Sequence, residues 1–367
     1  MKIKDIIAVL QQMAPLAYAE DFDNVGLLTG DADADALATG ILVCHDALEA
    51  VIDEAIATNC NMVVCFHPIL FSELKKITGK NYVERAVIKA IKNDIALYAV
   101  HTALDNHKQG VNKIFSDVLG LINTKILVPK QGFIRKLVTY TVPQNHDKLR
   151  AALFNAGAGS IGNYTNCSFN SNGTGTYMGN QDSNPQVGLR GEFTQTEEVK
   201  IEVTFEKYLE GTILKALFAN HIYEEVAFEI YNVENEHQNI GLGMIGELQH
   251  PMDEKDFLLF VKDAAGAPGI RHSAFSGKKI TKVAVLGGSG SFAISNAIAA
   301  EADVFLTADL KYHQFYEAEG KILLADIGHF ESERFTQNYI ADYLKSNIKG
   351  IKINVTTIDT NPVKYLL

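Results

Sequence analysis

An alternation constrains this chain more than any other feature. Over its first 130 residues the short apolar runs "TGILVCHDA", "NMVVCFHP" and "IALYAVHTA" are separated by segments of helical period, "LEAVIDEAIATN" and "NYVERAVIKAIKND", after an opening amphipathic helix "KIKDIIAVLQQMAP". Strands joined by helices of about 10 to 15 residues imply crossover connections and a mostly parallel sheet covered on both faces. The same rhythm returns after about residue 240, in "KKITKVAVLGGSG", "DVFLTADL", "KILLADIGHFESE" and "IKINVTTID". Between them the texture changes. "KLVTYTVP", the helix "QNHDKLRAALFNAGA", a Gly/Asn/Ser-rich stretch, "KIEVTFEK", the helix "GTILKALFANH" and "VAFEIYNVE" give strand-helix-strand twice over, a split βαβ or ferredoxin-like layout. The expected architecture is two related α/β halves, 1–130 and 240–367, interrupted by an inserted ferredoxin-like α+β domain over 131–239. With 367 residues the chain is also longer than a single core usually grows.

Composition removes several classes of function. No apolar run approaches the roughly 20 residues that a membrane-spanning helix needs. The net charge is −11 and no basic cluster of five or more residues occurs, so a nucleic-acid backbone is not the expected partner. Cys44, Cys60, Cys65 and Cys167 show no CxxC spacing, and the amino terminus reads as a helix rather than a signal peptide. A soluble protein of the reducing cytoplasm is expected.

Three consecutive predicted strands end in histidine, at His45-Asp46, His67 and His101, and ligands of open α/β sheets collect outside the carboxyl ends of strands. "DIGHFESE" is the strongest local signal. His329 and Glu333 lie four apart at a helix start, about 40° apart around its axis, and an imidazole and a carboxylate so placed chelate zinc, iron or manganese. The plain alternative is a histidine at a helix start with Ser332 and Glu333 serving as cap and dipole partners. His101 with Asp105 in "AVHTALDN", and Asp309 with His313 in "TADLKYH", form further such pairs, although Asp105-Asn106 also suits a turn. Pro68 holds His67 in an extended conformation. Convergence of these groups, without a cysteine quartet, points to a catalytic or exchangeable divalent site rather than a structural zinc. "VAVLGGSG" before a helix suggests a phosphate-cradling turn, but it lacks GxGxxG spacing and a GK[ST] ending. His107, His146, His221, His237, His250 and His272 read as solvated side chains.

The segments "FDNVGLLTGD", "HDALEAVIDEAI", "HPILFSELKKITG", "AVHTALDN…GVN", "VAVLGGSG", "TADLKYHQFYEAEG" and "DIGHFESE" occur in the order of a known family. On them the chain resembles the GTP cyclohydrolase 1 type 2 homologs, toroid proteins with a dinuclear metal centre. The middle segment, including "GAGSIGNYTNCSF", resembles the PII-like or CutA-like insert of the longer members. The resemblance covers the full chain. It implies two divalent cations held by two adjacent histidines before a proline, the aspartate of HTxLD, and the histidine and glutamate of GHxxSE. Carried onto this chain, these are His67, Asp105, His329 and Glu333. The first histidine of the pair falls on Phe66, which has no lone pair to give. Cys65 does not replace it, because neighbours along a strand face opposite ways. One cation is therefore expected to bind well and the second weakly or not at all.

The resemblance further implies a hydrolase in which metal-activated water acts on a nucleotide-like substrate, with His101 and His313 moving protons, and a ring-shaped homohexamer built as a trimer of dimers. It allows a second reading, a non-catalytic metal-binding or regulatory ring whose insert senses a small molecule. Asp23 and Asn24 either line the cleft or form a turn. His45, beside Asp46, is expected to support a ligand rather than to be one.

Overall fold

The apolar runs of the first stretch become adjacent parallel strands. In the computed structural model, which describes residues 1–31 and 36–366, the strands are β1 Gly26–Thr29, β2 Gly40–Asp46, β3 Met62–His67, β4 Ala96–Ala99, β5 Ile122–Pro129, β6 Ile134–Thr141, β7 Phe169–Met178, β8 Phe193–Glu206, β9 Phe228–Val233, β10 Gly241–Asp253, β11 Arg271–His272, β12 Lys279–Ser289, β13 Val304–Ala308, β14 Leu323–Asp326 and β15 Lys352–Val355. The chain divides into two units, Met1–Val128 with Asn239–Leu367, and Pro129–Gln238. Among the described residues no helix is long and apolar enough to cross a membrane.

The first unit contains a five-stranded sheet, β1-β4-β3-β2-β15, and a six-stranded sheet, β11-β14-β13-β12-β10-β5. In the first, β15, β2, β3 and β4 run parallel. Side chains alternate between its two faces, as strand geometry requires. Ile41, Val43, Met62, Val64 and Phe66 pack under the helices Ile3–Met13 and Thr336–Asn347, while Leu42, Cys44, Val63 and Cys65 pack with Val51, Ile52 and Ala55 of the helix Glu49–Ala57. The second sheet is parallel through β12, β13 and β14 and is likewise covered on both faces. These are the doubly covered sheets that the uninterrupted apolar runs require.

The two sheets do not divide the chain as the two halves do. β5, from the first stretch, edges the second sheet, and β15, from the end of the chain, edges the first. The loop before the helix Tyr82–Lys92 is held by one buried carboxylate. Glu84 accepts hydrogen bonds from Thr78 N at 2.7 Å, Thr78 Oγ1 at 2.9 Å and Lys80 N at 3.1 Å, and Asn81 caps the helix by accepting from Glu84 N at 2.8 Å.

The second unit runs strand, helix, two strands, helix, strand, as an antiparallel sheet ordered β7-β8-β6-β9 with the helices Pro143–Asn155 and Glu210–Asn220. Leu149, Leu153, Ile213 and Leu217 of those helices meet Leu137, Ile201, Val203 and Phe205 of the sheet. β7 falls in the Gly/Asn/Ser-rich stretch, where composition suggests a loop. Its ten residues are held in register by β8 alone, so the backbone ladder overrides weak strand propensity there.

Candidate metal centre

Both sheets of the first unit send the carboxyl ends of their strands to one place. β2 ends in His45 and Asp46, β3 ends in His67, and β4 leads into the helix His101–Asp105. From the second sheet, β13 is followed by Asp309, and β14 by the helix His329–Glu333. Asp309 and Gly328 carry positive φ values of 57° and 96°, and these bends turn the chain sharply after each strand.

The centre of the group is Glu333 Oε2. It lies 3.4 Å from His45 Nε2, 3.3 Å from His67 Nε2 and 3.2 Å from His329 Nε2, and His67 Nε2 is 3.4 Å from His329 Nε2. Three of the rings contact each other as well: His45 and His67 have centroids 4.6 Å apart, and His67 and His101 are 5.2 Å apart edge to face. Three histidines are fixed from behind by carboxylates. His67 Nδ1 donates to Asp46 Oδ1 at 2.9 Å, His329 Nδ1 to Asp309 Oδ2 at 2.7 Å, and His101 Nδ1 to Asp23 Oδ1 at 2.8 Å. With Nδ1 tied to a carboxylate, Nε2 is the ring nitrogen left to face a cation, the arrangement typical of ligating histidines. Asp23 is itself held by Thr102 N at 3.0 Å, and Asp46 by Thr360 Oγ1 at 2.9 Å.

Burial and unmet polar atoms test whether these residues suit a cation. Glu333 is 3% exposed and His45 2%. Glu333 Oε2, Asp105 Oδ1 and both ring nitrogens of His45 are buried without a hydrogen-bond partner, a costly state for any one of them. The ion-pair distances around Glu333 Oε2 are short, yet the angles do not make a hydrogen bond to it. Donors about 2.0 to 2.2 Å from one ion stand about 3.0 to 3.5 Å apart, which is the spacing seen here. His45, His67 and Glu333 bring ligand atoms within 4.8 Å of one another and could hold a metal ion. The residues fit the group.

Electrostatics agree. Burial works against the charged form of His67, yet the hydrogen bond to Asp46 and the nearby Glu333 hold its pKa up at about 9. His329, likewise opposed by burial, is raised to about 11 by Glu333 and Asp309. Burial would raise Glu333, but the charge of His329 and contacts with His329, His45 and His67 hold it well below the usual range. Asp105 goes the other way, pushed up by burial and then by the charge of Glu333. These neighbours favour the protonated forms of His67 and His329, and a divalent cation bound there would displace those protons.

Two N–H groups of the glycine turn are engaged inside the protein. Gly287 N donates to Asn112 Oδ1 at 2.9 Å and Gly288 N to Ser332 Oγ at 2.9 Å, so these two N–H groups are not available to a phosphate. Gly288, with φ 68°, is pressed against Glu333 instead: a Cβ there would collide with Glu333 Oε1. Its small size makes room for the carboxylate.

The structure brings His67, His329 and Glu333 together, sets His101 at the edge of the group, and places Asp105 where its carboxyl feels Glu333, His67 and His329. It does not bring in His313. That ring is exposed beside Tyr312 and Tyr316, with centroids 5.1 Å and 6.2 Å away. The expected Asp309–His313 pair needs a helix starting at Asp309. The chain instead bends there, its 3₁₀ helix begins at Tyr312, and Asp309 pairs with His329.

His45, expected to support a ligand, instead lies within the group, and this is the main departure from the sequence-based expectation. Its ring stacks on Phe66 with centroids 5.3 Å apart. The signal was present in strand parity. β2 and β3 are parallel with Cys44 opposite Cys65 and Asp46 opposite His67, so His45 projects from the same face as Phe66.

Comparison with known proteins follows the same outline. The family model Duf34/NIF3 (NGG1p interacting factor 3) matches residues 1–362. A Bacillus subtilis (strain 168) protein named GTP cyclohydrolase 1 type 2 homolog is 37% identical over 369 residues, 99% of this chain and 98% of that one. A Staphylococcus aureus (strain N315) protein of the same name is 32% identical over 371 residues, 100% of each. The crystal structure of a Bacillus cereus protein related to NIF3 superimposes with a TM-score of 0.82 at 34% identity, covering 99% of this chain and 98% of that one.

Proposed function

The chain belongs to the Duf34/NIF3 family, and from that premise we propose that it is a divalent-metal protein of the GTP cyclohydrolase 1 type 2 homolog kind, a hydrolase acting on a nucleotide-like substrate. One observation carries the reading: a buried carboxylate oxygen, Glu333 Oε2, with three imidazole nitrogens 3.2 to 3.4 Å away and no hydrogen bond to satisfy it. His67, Asp105, His329 and Glu333 hold the metal, and His45 joins them. His45 makes up for the imidazole that Phe66 cannot supply, so three imidazoles and two carboxylates are available. These donors would suffice for two cations, rather than for one strong and one weak site. Zinc, iron and manganese all suit such donors.

A divalent cation held there supplies Lewis acidity, bringing the pKa of a water toward about 7. The chain's own residues do the rest. Asp46 and Asp309 fix two of the three rings that face Glu333, and Asp23 fixes His101 so that its Nε2 can accept a proton from the attacking water and return it to the leaving atom. His313 takes no part.

Manganese-loaded protein incubated with GTP tests the reading: loss of purine absorbance with release of formate is expected, abolished by chelation and by His101→Ala. Release of phosphate in place of formate would move the chemistry to a phosphohydrolase.

The second reading, a regulatory ring, draws on the insert. Its strand order supports a ferredoxin-like, PII- or CutA-like domain, and a cavity of about 360 Å³ lies within it beside Tyr177, Glu198 and Tyr223. A small molecule that raises the melting temperature without turnover favours this reading. Sedimentation of the intact protein tests the homohexameric ring, and fractionation its cytoplasmic location.

A further inference from the structure

Two cavities open from the metal centre, and Asp46, His67 and His329 belong to the walls of both. Their chemistry differs. The smaller, about 480 Å³, is lined by four carboxylates, Asp46, Asp309, Asp326 and Glu331, and by one arginine, Arg271, besides the histidines of the centre. Arg271 is already ion-paired to Asp326 and donates to Leu310 O at 3.0 Å. The larger, about 650 Å³, is walled mainly by Ile69, Phe71, Leu74, Tyr82 and Val83, with the uncharged Ser72 and Asn81 and with His101 also in its wall. Among the described residues no lysine or arginine lines it.

The apolar rings at this cavity are left in water. Phe71 is 51% exposed and Tyr82 58%. Phe71 is not loose, since its ring sits 6.2 Å from that of His101 and 6.4 Å from that of Phe22, both edge to face. An aromatic edge held beside a histidine that moves protons, and otherwise solvated, fits a flat ring on the ligand, because ring pairs gain energy beyond the area they bury. A volume of this size takes a ring system with a substituent. Charge selects further. Beyond the cations held at the centre itself, a triphosphate tail would find in the neighbouring cavity four carboxylates and an ion-paired arginine, and the Gly287 and Gly288 N–H groups are already hydrogen-bonded inside the protein.

We propose that the ligand of this centre is an uncharged, planar ring compound, a heterocycle or nucleoside rather than a nucleoside triphosphate, seated in the larger cavity against Phe71 and Tyr82. The proposal deepens the hydrolase reading and rests on it for the site's location only; what it asserts is binding.

Calorimetric titration of manganese-loaded protein with guanosine and with GTP tests it. Guanosine is expected to bind no more than about threefold weaker than GTP, and Phe71→Ala to weaken guanosine at least about tenfold, a loss of about 1.4 kcal/mol. Phe71→Trp restores binding. Metal content of both variants stays at the parent level, which separates a lost ring contact from a damaged centre. GTP binding ten times more tightly than guanosine, unchanged guanosine affinity in Phe71→Ala, or no guanosine binding at all overturns the proposal. Failure here remains distinct from failure of the hydrolase reading. Metal-dependent GTP turnover that ignores Phe71 leaves hydrolysis standing and removes the ring site, whereas Phe71-dependent guanosine binding without turnover does the reverse.

Discussion

His45 and Glu333 decide what the site can hold. With His45 as a ligand, reconstituted and desalted protein carries two cations per subunit, and His45→Ala carries one; elemental analysis checks both. Two cations in the variant would remove His45 from the ligand set. Gly288 tests the carboxylate from the other side. Gly288→Ala forces a side chain into a left-handed backbone position, which costs about 1 to 3 kcal/mol, and drives its methyl group into Glu333. Lower stability in urea together with loss of metal is expected, and full metal content would mean that Glu333 does not depend on that gap. At this scale the sequence was informative where spacing was local. His329 and Glu333 are one helical turn apart, and His67 sits before a proline. The pairings Asp46–His67, Asp309–His329 and Asp23–His101 join residues 21, 20 and 78 positions apart, and only the folded chain brings them together.

At the scale of elements, the helix Glu49–Ala57 is clamped to the end of the chain by Glu54, which accepts hydrogen bonds from Thr357 N at 2.9 Å and Thr357 Oγ1 at 2.8 Å, and from Thr356 Oγ1. Burial alone would raise the Glu54 carboxyl, but the bonds from Thr356 and Thr357 outweigh it and lower its pKa below the usual 4.5. The folded pKa lies under the unfolded one, so this contribution is complete above about pH 4.5 and is lost as pH falls through the folded value. The stability gap between parent and Glu54→Gln is therefore expected at pH 7 and absent at the acid end, measured by urea unfolding. Solvent screening keeps it to about 1 kcal/mol or less. A gap that persists unchanged at low pH would assign the clamp to packing. Element type was readable where apolar residues ran without interruption, as in β2, β3 and β13. It was not readable in β7, whose glycines and asparagines are strand only because β8 lies beside them.

At the scale of the whole chain, the insert leaves and returns at one point, since His237 N donates to Lys130 O at 2.8 Å. Replacing residues 129–238 by a short glycine-rich link is expected to leave a folded first unit with its metal content intact. An insoluble or metal-free product would show that the core depends on the insert. The change of texture near residue 132 made that boundary legible. The exchange of β5 and β15 between the sheets was not, because an apolar strand carries no mark of which sheet edge it will pair with.

That exchange also sets a timetable. His67 and His329 are 262 positions apart, and β15, which edges the sheet of His67, follows both. At about 5 to 20 residues per second, the ribosome takes roughly 13 to 50 seconds to travel from one histidine to the other. Throughout that interval the emerging polypeptide exposes imidazoles without the glutamate that gathers them. A cation that needs both histidines and Glu333 could therefore load only when translation has nearly finished.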